Sequence, residues 1–171
     1  MIKAYFAEQQ IPYSITYLEE DLPLGTTGSL GMLEQEFKEP VLATNCDILL
    51  DIDYGDLLSF HRNQQYDMTI VSARKKITIP YGVIHSDEEK RLGTIEEKPQ
   101  LSFEINTGMY LINPDLLELI PKGRTYHMTD FIDELIGRDK KIGVYPVDED
   151  AFLDMGEFAE MNRMEDKIGE K

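Results

Sequence analysis

Apolar positions alternate between two periods along the chain, and the switches between them outline its elements. Residues 2–9 carry a helical pattern. Tyr13-Ser14-Ile15-Thr16-Tyr17-Leu18 alternates and is rich in β formers, which predicts a strand. Leu30, Leu33 and Phe37 stand three and four apart, which predicts a helix over 28–38 that Pro40 ends. Val41-Leu42-Ala43-Thr44 is a continuous run of the kind that fills a buried parallel strand. Asp53, with Asp56 three residues on, caps a helix over 54–64, and Met68 to Ala73 is the next strand. Pro80 to Ile84 and Leu92 to Glu96 flank the turn Asp87-Glu88-Glu89-Lys90 and form a hairpin. Met109 to Ile112 is a strand, and Asn113-Pro114 opens a short helix over 114–119. Thr129 caps an amphipathic helix carrying Phe131, Ile132, Leu135 and Ile136. Ile142 to Val147 is a strand, and 157–168 forms a final helix.

Strands that alternate with helices predict an α/β fold: a Rossmann-like, mixed and mostly parallel sheet flanked by helices. In such sheets ligands sit beyond the carboxyl ends of the strands. The 171 residues fit one domain, with a core large enough to need no disulfide or metal. Cys46 is the single cysteine, which excludes an internal disulfide and suits a reducing compartment. The expected location is the cytoplasm, since no apolar run is long enough to span a bilayer and the first residues lack a signal-peptide layout. A net charge of −16 argues against nucleic-acid and membrane partners. A small anion remains possible, because local cations, backbone amides and a divalent metal can hold it.

Five short motifs sit at strand or helix ends. Asp47, after the strand 41–44, can hold a hard cation or cap a turn. Gly25-Thr26-Thr27-Gly28 offers close backbone approach before a helix, or a plain loop. Glu97-Lys98-Pro99 joins an acid and a base that can take hydroxyls and a phosphate, or form a surface pair. Asn106-Thr107-Gly108 reads as a site segment or as a turn, and Asp154-Met155-Gly156 as a metal ligand or a helix cap. His61, His85 and His127 have no metal-ligand spacing; His61 is expected on a helix surface, and the Cys46 thiol is expected buried or half-buried. Arg124 and His127, near Thr129, read as capping or surface residues in preference to groups that approach the ligand.

The order of Pro23-Leu24-Gly25-Thr26-Thr27-Gly28, Asn45-Cys46-Asp47, Tyr81-Gly82-Val83, Glu97-Lys98-Pro99, Asn106-Thr107-Gly108-Met109-Tyr110 and Asp154-Met155-Gly156 carries more than any one of them. Taken together they resemble the sugar-phosphate nucleotidyltransferases, or nucleoside-diphosphate-sugar pyrophosphorylases, across about residues 1–160. The second half is most similar to the branch that uses mannose-like or amino-sugar 1-phosphates and guanine or related nucleotides. The resemblance implies the nucleotide-diphospho-sugar transferase fold, a nucleoside triphosphate and a sugar 1-phosphate as partners, and Mg2+ as cofactor. It implies that Asp47 and Asp154 hold the magnesium and that Lys98 neutralises the sugar phosphate. By the same resemblance Glu97 accepts sugar hydroxyls, Gly82 and Asn106 line the sugar pocket, Gly25, Thr26 and Gly28 approach the base and ribose, and Asn45, Tyr81, Thr107 and Gly108 are further substrate-binding residues.

The chain departs from the family pattern in several places. Cys46 stands where a glycine is usual, Phe152 where a tryptophan is common, and Glu157-Phe158 where Thr-Pro is usual. The family's glycine-rich triphosphate loop has no counterpart here. Residues 1–171 therefore read as one nucleotidyltransferase domain truncated at its N-terminal side, roughly the C-terminal two thirds to three quarters of the fold. A shortened sheet exposes edges, so self-association or pairing through that sheet is expected. Two functions compete: a nucleotidyltransferase, and a non-catalytic sugar-phosphate binding module that needs the missing region or a partner. A regulatory partner without a ligand fits less well, since the pocket residues are retained.

Overall fold

The computed structural model describes residues 2–33 and 36–156. The helix predicted over 157–168 lies outside the described residues. Helix α1 (Ile2–Ala7) is short and buries no residue. The segment Tyr13 to Leu18 forms no strand; Tyr13 is 61% exposed, and no neighbour among the described residues offers the ladder that a strand requires. Instead of one helix over 28–38, the chain makes α2 (Gly25–Gly28) and a 3₁₀ turn, Ser29–Met32. Three glycines at 25, 28 and 31 explain this, because glycine is the poorest ordinary helix former and lets the turns pack closely.

The remaining elements are β1 (Val41–Thr44), β2 (Ile48–Leu50), α3 (Tyr54–Asn63), β3 (Met68–Thr78), β4 (Gly82–Ser86), β5 (Leu92–Glu97), β6 (Gln100–Ile112), α4 (Pro114–Leu117), α5 (Met128–Gly137), β7 (Ile142–Val147) and β8 (Phe152–Asp154). The main sheet has the order β1-β6-β3-β7. It is mixed, as expected, but β3–β7 is its parallel pair, while β1–β6 and β3–β6 are antiparallel. The reason is connectivity. The chain turns back from β3 to β6 through the β4–β5 hairpin, which forces opposite directions, whereas the path from β3 to β7 passes through α5. Strand β1 is not a buried parallel strand: it lies at the sheet edge and alternates half-buried with exposed residues. The expected hairpin forms, with Ile84 opposite Ile95.

Alternation along β3 and β6 sends side chains to two cores. Met68, Tyr110 and Ile112 meet Leu116, Phe131 and Leu135 on the α4–α5 side. Val71, Met109 and Leu111 meet Leu57, Val147 and Phe152 on the α3 side. Helix α3 starts as expected, with Asp53 Oδ1 accepting the Gly55 N–H at 2.7 Å and the Asp56 N–H at 3.2 Å. Helix α5 begins before Thr129. His127 is its cap residue, Asp130 Oδ2 accepts the His127 N–H, and Thr26 Oγ1 accepts the Met128 N–H. Among the described residues, no helix is long and apolar enough to cross a membrane.

Candidate active site

The β2–β8 ribbon brings together two carboxylates from distant parts of the chain. Its antiparallel register sets Ile48 opposite Asp154, and the Met155 N–H donates to Asp47 O at 2.9 Å. Asp47 and Asp154 consequently line one cleft of about 260 Å³, together with Asn45, Lys75, Asn106 and Phe152. Asp154 also anchors its own turn, since its Oδ1 accepts the Gly156 N–H at 2.8 Å. Cys46, between Asn45 and Asp47, is exposed rather than buried. Its φ is negative, so the turn does not require the glycine that is usual there.

The opposite wall is a bulge in β6. From Ile70↔Tyr110 to Ser72↔Asn106, β3 advances two residues while β6 advances four. The two extra residues fall within Thr107-Gly108-Met109, next to the paired Asn106, and Gly108 there has φ +84°. Such bulges re-aim side chains at the end of a ladder. A Cβ on Gly108 would lie 2.5 Å from Asn45 Nδ2, so the absent side chain lets Asn45 lie against the bulge. Asn45 N–H donates to Gly108 O at 3.1 Å. Asn106 Oδ1 accepts the Gly108 N–H, and its Nδ2 donates to Tyr110 Oη at 2.7 Å. Burial raises the Tyr110 phenol above its ordinary range, against the lowering effect of that Asn106 bond. The Thr107 hydroxyl is buried and donates to Val71 O at 2.8 Å, so it holds the bulge in place.

A second cleft, also about 260 Å³, is lined by Thr26, Asn45, Tyr110, His127, Met128 and Thr129. Asn45 and Tyr110 line both clefts, so the two are neighbours across these residues. The segment around Gly25 is clamped onto the start of α5: the Tyr126 N–H donates to Leu24 O at 2.8 Å, and the Thr27 N–H to Tyr126 O at 3.1 Å. Gly25 has φ +80°, and a Cβ there would stand 2.7 Å from Tyr126 O. Gly28 is buried behind this wall and lines neither cleft.

Tyr81, Gly82, Glu97 and Lys98 form a separate cluster at the base of the hairpin. Gly82 is opposite Glu97, and the Lys98 N–H donates to Tyr81 O at 3.3 Å. Lys98 has φ +49°, uncommon for a residue with a side chain and a sign of a constrained turn. All four are exposed, and none lines the two clefts. The structure thus unites Asp47, Asp154, Asn45 and the 106–108 segment, sets Gly25 and Thr26 beside them, and places the hairpin group apart.

Lys75 is a site residue that the sequence motifs do not announce, and Tyr110, part of the Asn106-to-Tyr110 motif, has no role assigned to it by the resemblance. Lys75 is the one lysine or arginine among the described residues lining the two clefts. Its signal was present in the strand alternation: Val71 and Ala73 fill the α3-side core, and Lys75 continues that face as a cation. Among the described residues no three His, Cys, Asp or Glu cluster as a closed metal cage. Two carboxylates in one cleft fit an ion that draws its other oxygens from substrate phosphates and water, which is how magnesium is commonly bound.

The nucleotidyl transferase family profile matches residues 1–171. The chain is 33% identical over 118 residues to the mannose-1-phosphate guanylyltransferase catalytic subunit beta of Dictyostelium discoideum, covering 66% of this chain and 33% of that protein. It is 30% identical over 176 residues to the UTP–glucose-1-phosphate uridylyltransferase of Synechocystis, covering 91% and 45%. The crystal structure of HddC from Yersinia pseudotuberculosis has the same fold, with a TM-score of 0.68 at 19% identity, covering 98% of this chain and 72% of that one. The mixed sheet and flanking helices are those of the nucleotide-diphospho-sugar transferase fold. The chain belongs to the nucleotidyl transferase family, among the sugar-phosphate nucleotidyltransferases. It spans 30–42% of the length of the guanylyltransferases it matches.

Proposed function

We propose that this chain supplies the metal and sugar-phosphate side of a nucleotidyltransferase site. The reaction is transfer of a nucleotidyl group from a nucleoside triphosphate to a sugar 1-phosphate. A phosphate oxygen of the sugar phosphate forms a bond to the α-phosphorus of the triphosphate. The bond from that phosphorus to the bridging oxygen breaks, and pyrophosphate leaves with the electron pair. Positioning and charge neutralisation do most of the work in such a displacement. The observation that carries this reading is the convergence of Asp47 and Asp154 on one cleft beside the Asn106 bulge.

Magnesium, when bound between these carboxylates, would supply a positive centre for the phosphate oxygens. Asp47 and Asp154 hold it, and Asn45 orients the turn that carries Asp47. Asn106 and Gly108 select the sugar from the cleft, with Thr107 holding their bulge in place. Lys98 neutralises the sugar phosphate and Glu97, Tyr81 and Gly82 take sugar hydroxyls only if the hairpin base, which lines neither cleft here, closes on the bound substrate. Gly25, Thr26 and Gly28 shape the wall against the base and ribose. Guanylyl transfer to a mannose-like sugar is the favoured pair. Several relatives are mannose-1-phosphate guanylyltransferases, and the Yersinia protein has been seen in complex with GMP-PN. We place the protein in the cytoplasm, where the exposed Cys46 stays reduced.

The test is pyrophosphate release from a panel of nucleoside triphosphates and sugar 1-phosphates with magnesium, alongside calorimetric binding of each. Asp47→Asn and Asp154→Asn are each expected to slow turnover by about 100-fold or more, with the fold retained by circular dichroism. Absence of both binding and turnover for every pair in the panel would sink the reading.

A further inference from the structure

We propose that Lys75 is the residue that binds the phosphate of the sugar 1-phosphate, an assignment that rests on the reaction proposed above. Strand β3 carries it to the cleft. Val71 and Ala73 are buried in the α3-side core, and side chains alternate along a strand, so Lys75 continues their face. The parallel ladder to β7 ends at Ala73↔Val147, while the ladder to β6 runs on through Lys75↔Phe103. Lys75 therefore stands at the rim of the core, half-buried. Ile105 and Phe152 line with it both the cleft and a narrow gap beside Glu149. Apolar neighbours of this kind take the methylene stem of a lysine and leave the ammonium to water and oxygen ligands.

Charge assigns the ligand. The charged side chains lining the cleft are the carboxylates of Asp47 and Asp154 and the Lys75 ammonium, a formal −1. A divalent ion between the carboxylates brings the cleft to a formal +1; with Lys75 removed it would be neutral. A phosphate monoester arrives with a charge of about −1.5 to −2 at pH 7, so Lys75 decides whether the loaded cleft attracts it. The rest of the chain works against that attraction, since the net charge is −16. Among the described residues Lys75 is the one lysine or arginine lining either cleft, whereas Lys98 sits in an exposed turn outside both. An ammonium binds phosphate as a point charge, which suits a group brought in by a metal.

Position separates the two substrates. Lys75 shares its cleft with Asn106 and Gly108 and does not line the one that holds Thr26. It therefore meets the phosphate on the sugar side rather than the triphosphate. The same ammonium that attracts this phosphate repels the metal beside it. Removing it should move the two affinities in opposite directions, which loss of packing at the core rim would not do.

Isothermal titration of the full chain tests this, first with magnesium alone, then at saturating magnesium with mannose 1-phosphate, glucose 1-phosphate and a non-hydrolysable GTP analogue. Lys75→Met keeps the stem and removes the charge. It should bind magnesium about two- to tenfold more tightly. It should bind the sugar phosphates roughly 10- to 100-fold more weakly, and the GTP analogue as wild type does. Lys75→Gln repeats the charge loss in case the methionine variant misfolds, and Lys75→Arg should restore most of the sugar-phosphate affinity. Lys76→Met makes the same charge change on the opposite, exposed face of β3 and should move none of these values. Sugar-phosphate binding that survives Lys75→Met and Lys75→Gln would overturn the assignment. So would a loss that falls on the GTP analogue instead, a loss seen with Lys98→Met alone, or a parallel weakening of magnesium and sugar phosphate. Those outcomes leave the reaction standing. A wild type that binds magnesium and neither sugar phosphate would remove the reaction and the assignment together.

Discussion

His61 lies beneath α3 with 2% of its surface exposed, its Nδ1 2.8 Å from Thr69 Oγ1 and its Nε2 2.9 Å from Asn113 Oδ1. Asn113 Nδ2 donates to Tyr66 O, which fixes Oδ1 as the acceptor toward the ring. Nε2 then carries the proton, and Nδ1 accepts from the Thr69 hydroxyl. One side chain thus ties α3 to β3 and to the end of β6. His61→Leu would leave a buried hydroxyl and a half-buried carbonyl without this partner, at a cost of roughly 1–3 kcal/mol. A urea titration should show the midpoint falling at unchanged slope; an unchanged midpoint would refute the staple. The sequence reading puts His61 on a helix surface, because a polar residue inside a helical pattern reads as outward. Its two partners, eight and 52 residues away, have no local signature. The same limit hides the pairing of Asp47 with Asp154, which the resemblance supplied and spacing did not. Gly108 was legible as a turn residue, but its contact with Asn45 follows from the register of β1 on β6.

Elements were legible where the pattern is local and failed where pairing decides. The cap at Asp53, the hairpin and the amphipathic α5 are short-range features, and all three form. Tyr13 to Leu18 has the right alternation and no ladder partner, and the apolar run of β1 lies at an edge. Periodicity reports which side chains suit a strand, not which neighbour the strand finds. The parallel pair β3–β7 shows how such a neighbour is held. Partial burial pushes the Asp67 carboxyl up, but the Lys141 N–H at 2.8 Å and the Lys140 ammonium at 3.2 Å outweigh it and hold it below its ordinary value. Because the folded-state value is depressed, this contribution to stability is present above the ordinary value of 3.8 and is lost as pH falls through the lower folded value. Asp67→Asn should therefore flatten the acid limb of the stability curve, read from urea midpoints between neutral pH and pH about 3. A parallel downward shift at every pH would show that the residue acts by packing rather than by charge.

Two cores on opposite faces of one sheet and a strongly acidic body set how the whole molecule answers to ions. Self-repulsion from −16 destabilises the compact state, and monovalent salt screens it. Sodium chloride should therefore raise the melting temperature and then level off. Magnesium at matched ionic strength supplies the same screening, so any excess over sodium chloride reports a site. If Asp47 and Asp154 hold the ion, that excess follows mass action and reaches about 2.7 kcal/mol at 100 times the dissociation constant. Asp47→Asn lowers the negative charge by one and should melt slightly higher than wild type at low salt, while Asp154→Asn alters a carboxylate that also anchors its own turn and should gain less. Both should also lose the magnesium excess. An exposed carboxylate pair elsewhere, such as Asp148→Asn with Glu149→Gln, removes charge from the body and should leave the excess in place. Differential scanning calorimetry of the three variants in both salts thus separates general screening from ion binding. An excess that survives Asp47→Asn and Asp154→Asn would move the magnesium away from the cleft. If that excess vanishes with the control substitutions alone, the acidic surface and not the β2–β8 turn is what the metal stabilises.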